Sequence, residues 1–189
     1  EALQFSEVQT RVGVLEAQAR ALNEVYITWM TQHRPFVTVK VAQSMDGKIA
    51  TRTGDSKWIS SLRARQFSQR LRTQVDAIAV GINTVLKDDP QLTCRTHRSK
   101  QPLIKVVVDS KLRLPKKARL LKGQAPVLIA TTDETSLNRR QAWEERGVEV
   151  WNFPSRDGKV DLRELMRTLA ERGVSHLLIE GGGELIASA

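Results

Sequence analysis

The chain has 189 residues, of which 40% are hydrophobic, 27% charged and 5% aromatic; this suits one ordinary domain with a real core and excludes intrinsic disorder, collagen and a disulfide scaffold. Lys and Arg number 30 against 21 Asp and Glu, a net charge of +9, but the charge is dispersed, and its densest stretches, 63–72 and 111–122, do not interleave with aromatics. That pattern favours small phosphorylated anions as partners and argues against a nucleic-acid-binding module, the alternative from a different class.

The chain begins at Glu1 without an initiator Met and stops at Ala189 soon after a glycine cluster, as a piece of a longer protein would. Residues 11–30 carry a helical stripe of Leu15, Ala19, Leu22, Tyr26 and Trp29, which predicts one packing helix. It should end near His33-Arg34-Pro35, because the residue before a proline resists the helical region. Residues 36–42 alternate as a strand, with Val37, Val39 and Val41 on one face and Thr38, Lys40 and Ala42 on the other. Ser60 or Ser61 can cap a helix running to about Gln74. Strands follow at 76–80, 104–108, 126–130, 148–151 and 175–180. Helices at 137–146 and 162–172 end before Gly147 and Gly173. Alternating β and α units predict an α/β fold, a largely parallel sheet flanked by helices, whose ligands sit at the carboxyl ends of the strands. No apolar run approaches the roughly 20 residues that cross a bilayer, and no secretory signal is present, so no membrane partner and a cytoplasmic location are expected.

Several places could carry chemistry. Cys94 stands alone and His33, His97 and His176 are scattered, which leaves no cysteine-rich or HExxH-type metal site. Lys40 is a cation on the less apolar face of its strand, able to pair with an anion or give a proton, or simply to lay its stem over apolar surface. Ser44-Met45-Asp46-Gly47-Lys48 is a turn after that strand. In Gly54-Asp55-Ser56-Lys57-Trp58, the tryptophan could stack on a planar ring or close the core. Asp88-Asp89-Pro90 suits a plain helix-ending turn. Glu180-Gly181-Gly182-Gly183 sets a carboxylate at a strand tip and glycines before a helix, where backbone N–H groups can approach a phosphate.

Taken in order, these motifs resemble one family. The residues that carry the likeness are Val39-Lys40-Val41-Ala42 with Ser44–Lys48, Gly54–Ser60, Leu71-Arg72 with Asp76-Ala77-Ile78, Gly81-Ile82-Asn83-Thr84-Val85, Asp88–Arg95, Val108-Asp109-Ser110 and Glu180-Gly181-Gly182. Residues 35–189 resemble the reductase domain of the riboflavin-biosynthesis bifunctional deaminase/reductase, and residues 1–34 resemble the tail of the deaminase domain and a linker helix. The resemblance implies a dihydrofolate-reductase-like fold, incomplete here at its C-terminus, and a homo-oligomer in the full-length protein. It implies NADPH as cofactor and a phosphoribosyl-pyrimidine as substrate, whose ribosylamino group is reduced to ribitylamino. The runner-up is another NADPH-dependent reductase of the same fold.

By position, the resemblance puts Ala42, Trp58, Thr84, Asp88, Ser110, Gly182, Gly183, Glu184, Leu185, Ile186, Ala187 and Ser188 on the cofactor. It puts Ser56, Arg72, Leu92, Arg95 and Glu180 on the substrate, with Arg72 and Arg95 suited to the sugar phosphate. Lys40 and Glu180 are the candidates for proton handling and orientation. The family's deaminase half needs an H-x-E and a P-C-x-x-C zinc motif. Neither occurs in this sequence, so deamination is not expected of this chain.

Overall fold

The computed structural model describes residues 9–94 and 102–189. Its frame is a six-stranded sheet in the order β1-β8-β2-β3-β4-β5, formed by β1 Phe36–Lys40, β2 Ala77–Gly81, β3 Ile104–Val108, β4 Val127–Thr132, β5 Glu149–Phe153 and β8 His176–Glu180. Every pairing in it is parallel. A short antiparallel hairpin, β6 Ser155–Arg156 with β7 Lys159–Val160, stands apart.

The central strands are apolar on both faces because helices and loops cover both, as parallel sheets require. Ile78, Val80, Val107, Ile129 and Leu178 face one layer, where they meet Val85 of α4 (Ile82–Asp88), Trp143 of α5 (Leu137–Glu144), Leu112 and Leu114 of the loop after β3, and Leu120 of a single 3-10 turn, Arg119–Leu121. Ala77, Ala79, Val106, Leu128, Leu177 and Ile179 face the other. There they meet Leu165 and Leu169 of α6 (Leu162–Glu171) and Leu185 of α7 (Gly183–Ser188). The small residues Ala77 and Ala79 sit on this second face, in one buried cluster with Leu165 and Leu169 of α6 and Leu185 of α7.

Helix α3 (Leu62–Leu71) starts where expected, with the Ser61 hydroxyl accepting from the Ala64 amide, but it stops short of Gln74. The strand expected at 104–108 is found there, and the other strand boundaries differ from the sequence expectations by up to two residues. β1 ends at Lys40, and residues 41–61 form no helix or strand.

Residues 11–30 are not one packing helix. They form α1 (Glu16–Leu22) and α2 (Glu24–Gln32), broken at Asn23. Leu22 is 87% exposed, and Leu15 and Tyr26 are exposed too. Periodicity predicted an apolar stripe but could not say whether anything covers it. What docks this region is Thr28, which is buried, and Trp29, whose indole N–H donates to the Ala170 carbonyl at 3.2 Å.

Candidate functional site

Two clefts open at the carboxyl ends of the strands and share a floor. The larger, of about 720 Å³, is lined by Gly81, Ile82 and Asn83 after β2, by Val108, Ser110, Lys111 and Arg113 after β3, by the 157–160 turn, and by Gly182–Leu185 and Ser188. The smaller, of about 300 Å³, is lined by Lys40, Val41, Ala42, Ile49, Ala50, Gly54, Ser56 and Ile59 on one side. Thr84, Asp88, Gly181 and Ile186 stand on the other. Asn83, Lys87, Gly182 and Gly183 line both.

The shared floor exists because glycine is used where no side chain fits. Gly181 and Gly182 have φ of +88° and +89°, which L residues rarely adopt. A Cβ on Gly182 would stand 3.3 Å from the Gly81 nitrogen, and one on Gly181 would stand 3.3 Å from the Thr84 side chain. The β8–α7 turn and the β2–α4 turn therefore approach each other closely, backbone to backbone at Gly182 and Gly81.

Lys40 and Glu180 are register partners at the last pair of β1 and β8. Neighbours in a parallel register point to the same face of the sheet. Lys40 lines the smaller cleft. Glu180 instead turns to Arg72, which donates from Nη2 at 2.6 Å and from Nε at 3.1 Å, while Arg72 Nη1 donates to the Thr93 carbonyl at 2.9 Å. This pair is nearly out of water, with side chains 13% and 9% exposed. It ties the end of α3, the 89–94 loop and the tip of β8 into one unit. Cys94 lies beside it; burial pushes its thiol pKa up, Arg72 pulls it back and Glu180 adds to the rise.

The β3 tip is built around Asp109, which is fully buried. Its Oδ2 accepts the Leu114 amide at 2.8 Å, and the amides of Arg113 and Lys111 also face the carboxylate. Burial nevertheless raises its pKa, the stronger effect. Ser110 is held from both sides: its carbonyl accepts Thr132 Oγ1 at 2.9 Å, and its hydroxyl accepts the Val160 amide at 3.2 Å. The hairpin is thereby stitched to the wall of the larger cleft.

A family model described as the RibD C-terminal domain matches residues 35–189. The chain belongs to the RibD C-terminal domain family. It is 37% identical over its whole length to the riboflavin biosynthesis protein RibD of Aquifex aeolicus, covering 51% of that protein. It is also 39% identical over 168 residues to a 2,5-diamino-6-ribosylamino-4(3H)-pyrimidinone 5′-phosphate reductase of Archaeoglobus fulgidus, covering 82% of this chain and 74% of that one. Among solved structures, Acinetobacter baumannii RibD superimposes with a TM-score of 0.78 at 30% identity, covering 97% of this chain and 50% of that one. A Thermotoga maritima deaminase/reductase, named for 5-amino-6-(5-phosphoribosylamino)uracil reduction, gives 0.75 at 36%, covering 93% and 47%. The chain thus spans about half the length of the RibD proteins it matches. The six-stranded parallel α/β architecture fits the dihydrofolate-reductase-like fold expected from the sequence.

In this RibD C-terminal domain, many of the residues singled out by sequence gather at the two clefts. Lys40, Ala42, Ser56, Thr84, Asp88 and Ile186 line the smaller; Ser110, Glu184, Leu185 and Ser188 line the larger; Gly182 and Gly183 line both. Others sit elsewhere. Trp58 lines neither cleft; it is 72% exposed, with the Arg65 guanidinium 4.1 Å from its ring centroid. Leu92 is a core residue, 3% exposed, packed with Leu103 and Val107 on the α4 side. Ala187 is exposed and lines neither cleft. The guanidinium of Arg72 is engaged by Glu180 and Thr93 instead of facing open space. Arg95 lies outside the described residues.

Sequence reasoning missed Asn83, Lys87, Lys111, Arg113 and the whole 155–160 hairpin. The hairpin had a signal. Asp157-Gly158 joins its strands with φ of 53° and 71°, the two left-handed residues for which an Asp-Gly pair is suited. Lys111 and Arg113 had only their place in the basic stretch 111–122, which does not separate a ligand contact from solvated surface.

Proposed function

We propose that this chain is the pyrimidine reductase part of a riboflavin-biosynthesis protein, reducing the ribosylamino group of 5-amino-6-(5-phosphoribosylamino)uracil to ribitylamino with NADPH. Residues 1–34 are then the tail of a deaminase domain and a linker. The observation that carries this reading is the pair of clefts joined at the Gly181–Gly183 turn, with Lys40 lining the smaller. Two ligands can lie end to end across that floor, as a cofactor and a substrate must for direct transfer between them.

The residues suit a dinucleotide. The turn is rich in glycine and lies between the tip of β8 and the start of α7, where both clefts meet and backbone amides can approach a pyrophosphate. When bound, NADPH supplies a hydride. Everything else falls to the chain. The furanose C1′–O bond opens, the ring oxygen takes a proton, and C1′ receives the hydride. The proton that the ring oxygen takes is balanced by the one that the pyrimidine-bound nitrogen loses on opening, and that nitrogen regains a proton as C1′ is reduced, so the net uptake is one hydride and one proton. Lys40, at the end of β1, is the group that gives or holds a proton at the sugar end. Glu180, steadied by Arg72, orients the opened chain from the adjacent strand tip. Ser56, Thr84 and Asp88 supply hydrogen-bonding groups along the smaller cleft. The sugar phosphate needs basic partners, and Arg95 together with Lys87 fills that role once Arg72 is committed to Glu180.

The name of the Archaeoglobus relative supports a second reading, a substrate that still carries the 2-amino group. Incubating the full-length protein with NADPH and each of the two substrates separates them. Oxidation of NADPH with formation of a ribitylamino product from the uracil compound is the expected result. Turnover of the 2,5-diamino compound alone would favour the second reading, and turnover of neither would overturn both.

A further inference from the structure

We propose that Lys87 couples the two clefts: its ammonium stands between the charged groups of the two ligands, so that each ligand binds more tightly when the other is present. This rests on the reading of two phosphate-bearing ligands lying end to end on one floor, and it adds to Lys87 a role beyond the sugar phosphate.

A shared floor creates an electrostatic problem. A pyrophosphate and a phosphate ester are both anions, and like charges held close together in a cleft repel. A cation at the junction reverses the sign, because each anion then approaches a positive charge that the other has already drawn into place. Among the described residues, Asn83, Lys87, Gly182 and Gly183 line both clefts, and Lys87 is the only charged one of them. The other cations of the linings belong to one cleft each. Lys40 lines only the smaller, and Lys111, Arg113 and Lys159 line only the larger.

The local structure accounts for this placement. Lys87 sits in the last turn of α4, a helix fixed to the core by buried Ile82 and Val85. Its exposed side chain reaches the opposite wall, where a Cβ on Gly54 would stand 3.2 Å from Nζ and 4.0 Å from Cε. Gly54 has a φ of +86°, and its amide donates to the Thr51 carbonyl at 3.0 Å in a tight turn. Glycine at that turn leaves room for the ammonium. Among the described residues, no carboxylate lies within ion-pair distance of Lys87. Asp88, next in the chain, lines the smaller cleft and Glu184 the larger, and neither pairs with it. The backbone of Lys87 thus belongs to the rigid core while its head rests against the 41–61 segment. A compact ammonium on a flexible stem suits this position, since it can turn toward either anion, which a planar guanidinium fork does less well.

The test is calorimetric binding of NADP⁺ and of 5-amino-6-(5-phosphoribosylamino)uracil to the full-length protein, each alone and each with the other saturating. NADP⁺ has no hydride to give, so nothing turns over. In the wild type each ligand should tighten the other by about fivefold or more, the low end of coupling between sites, and by the same factor from either side. Lys87→Met, which keeps the stem and removes the charge, should abolish that mutual gain, whatever it does to either ligand alone. Lys87→Arg, which keeps the charge, should retain most of it. Absence of mutual tightening in the wild type, or its persistence in Lys87→Met, would overturn the proposal. So would its loss in Lys87→Arg to the same extent as in Lys87→Met, because coupling would then follow side-chain shape and not charge. A wild-type protein that fails to bind one of the two ligands at all would instead overturn the two-ligand reading, and the coupling with it.

Discussion

The middle of the sheet and the 41–61 segment both contribute walls to the same site, yet they are built on opposite terms. Strands β2, β3, β4 and β8 are buried on both faces, and their tips carry Gly81, Asp109, Thr131 and Glu180 in positions fixed by packing and backbone pairing. The 41–61 segment has no helix or strand, and Met45, Ile49 and Trp58 on it are exposed. Its order comes from local turns: Ser44 Oγ accepts the Lys48 amide at 3.0 Å, and Thr51 Oγ1 accepts the Asp55 amide at 3.0 Å. The larger cleft is floored mainly by the first kind of structure, and one wall of the smaller cleft is made of the second. The lesson is a division of labour. The larger cleft is preorganised by the core, and the smaller is closed on one side by a wall that buries little and can adapt.

Mutations can break or sharpen that contrast. The largest effect should come from Arg72→Ala. It leaves Glu180 buried without its partner and unties the 89–94 loop from β8, and removing one member of a buried pair costs about 3–5 kcal/mol. Denaturant unfolding of the full-length protein reads it directly. A loss under about 1 kcal/mol would mean that water reaches Glu180 freely and that the pair is not part of the rigid centre. Next comes Lys40→Met, which keeps the stem and removes the charge. It should keep normal stability and NADP⁺ affinity but lose at least ~100-fold in kcat, the lower range for general acid–base groups. Near-normal single-turnover rates would return Lys40 to the surface.

A smaller effect is expected of Gly182→Ala. The φ of +89° and the 3.3 Å approach to Gly81 make strain of about 1–3 kcal/mol, and both dinucleotide and substrate should bind more weakly because the turn serves both clefts. If only one ligand is affected, the floor is not shared. The smallest effect lies at the opposite end of the sheet. His176 Nε2 meets Thr38 Oγ1 at 2.8 Å and Nδ1 meets the Gln74 carbonyl at 3.1 Å. A carbonyl only accepts, so Nδ1 carries the proton; in the neutral ring Nε2 then accepts from the Thr38 hydroxyl. Burial lowers its pKa from 6.5, against smaller upward pulls from the Gln74 carbonyl and Asp76. A depressed histidine takes up more protons unfolded than folded, so its contribution to stability is present above pH 6.5 and is lost as pH falls from there through the folded value. Unfolding curves measured across that window should show the slope, and His176→Gln should flatten it without changing NADP⁺ affinity.

The same contrast explains what could be seen in the sequence. The central strands announce themselves because short β-branched runs such as Ile104–Val108 alternate with amphipathic helices. That alternation puts Lys40 and the Glu180–Gly183 turn at strand tips, whereas Thr84, Asp88, Ser110 and the Gly182–Ser188 stretch are placed by the resemblance to the reductase family. Burial could not be placed. Nothing in its spacing says that Lys105, in mid-strand, is 1% exposed and donates to the Leu120 carbonyl at 2.6 Å. Nor does spacing say that Arg72 faces a carboxylate within the protein, or that Leu92 belongs to the core. Those depend on which segments tertiary packing brings together. The α1–α2 stripe shows the converse, since a correct helical period over 11–30 carried no information about a covering partner.

The central claim is that one chain places a hydride donor and a ribosylamino sugar across a common glycine floor. It is tested most directly by supplying the full-length protein with NADPH deuterated at the nicotinamide C4, in each of the two stereospecific forms, together with 5-amino-6-(5-phosphoribosylamino)uracil. Mass spectrometry of the pyrimidine product should show a single deuterium on the sugar C1′ from one of the two forms. NADPH oxidation without deuterium in the product from either form would contradict direct transfer, and with it the shared-floor account of the site.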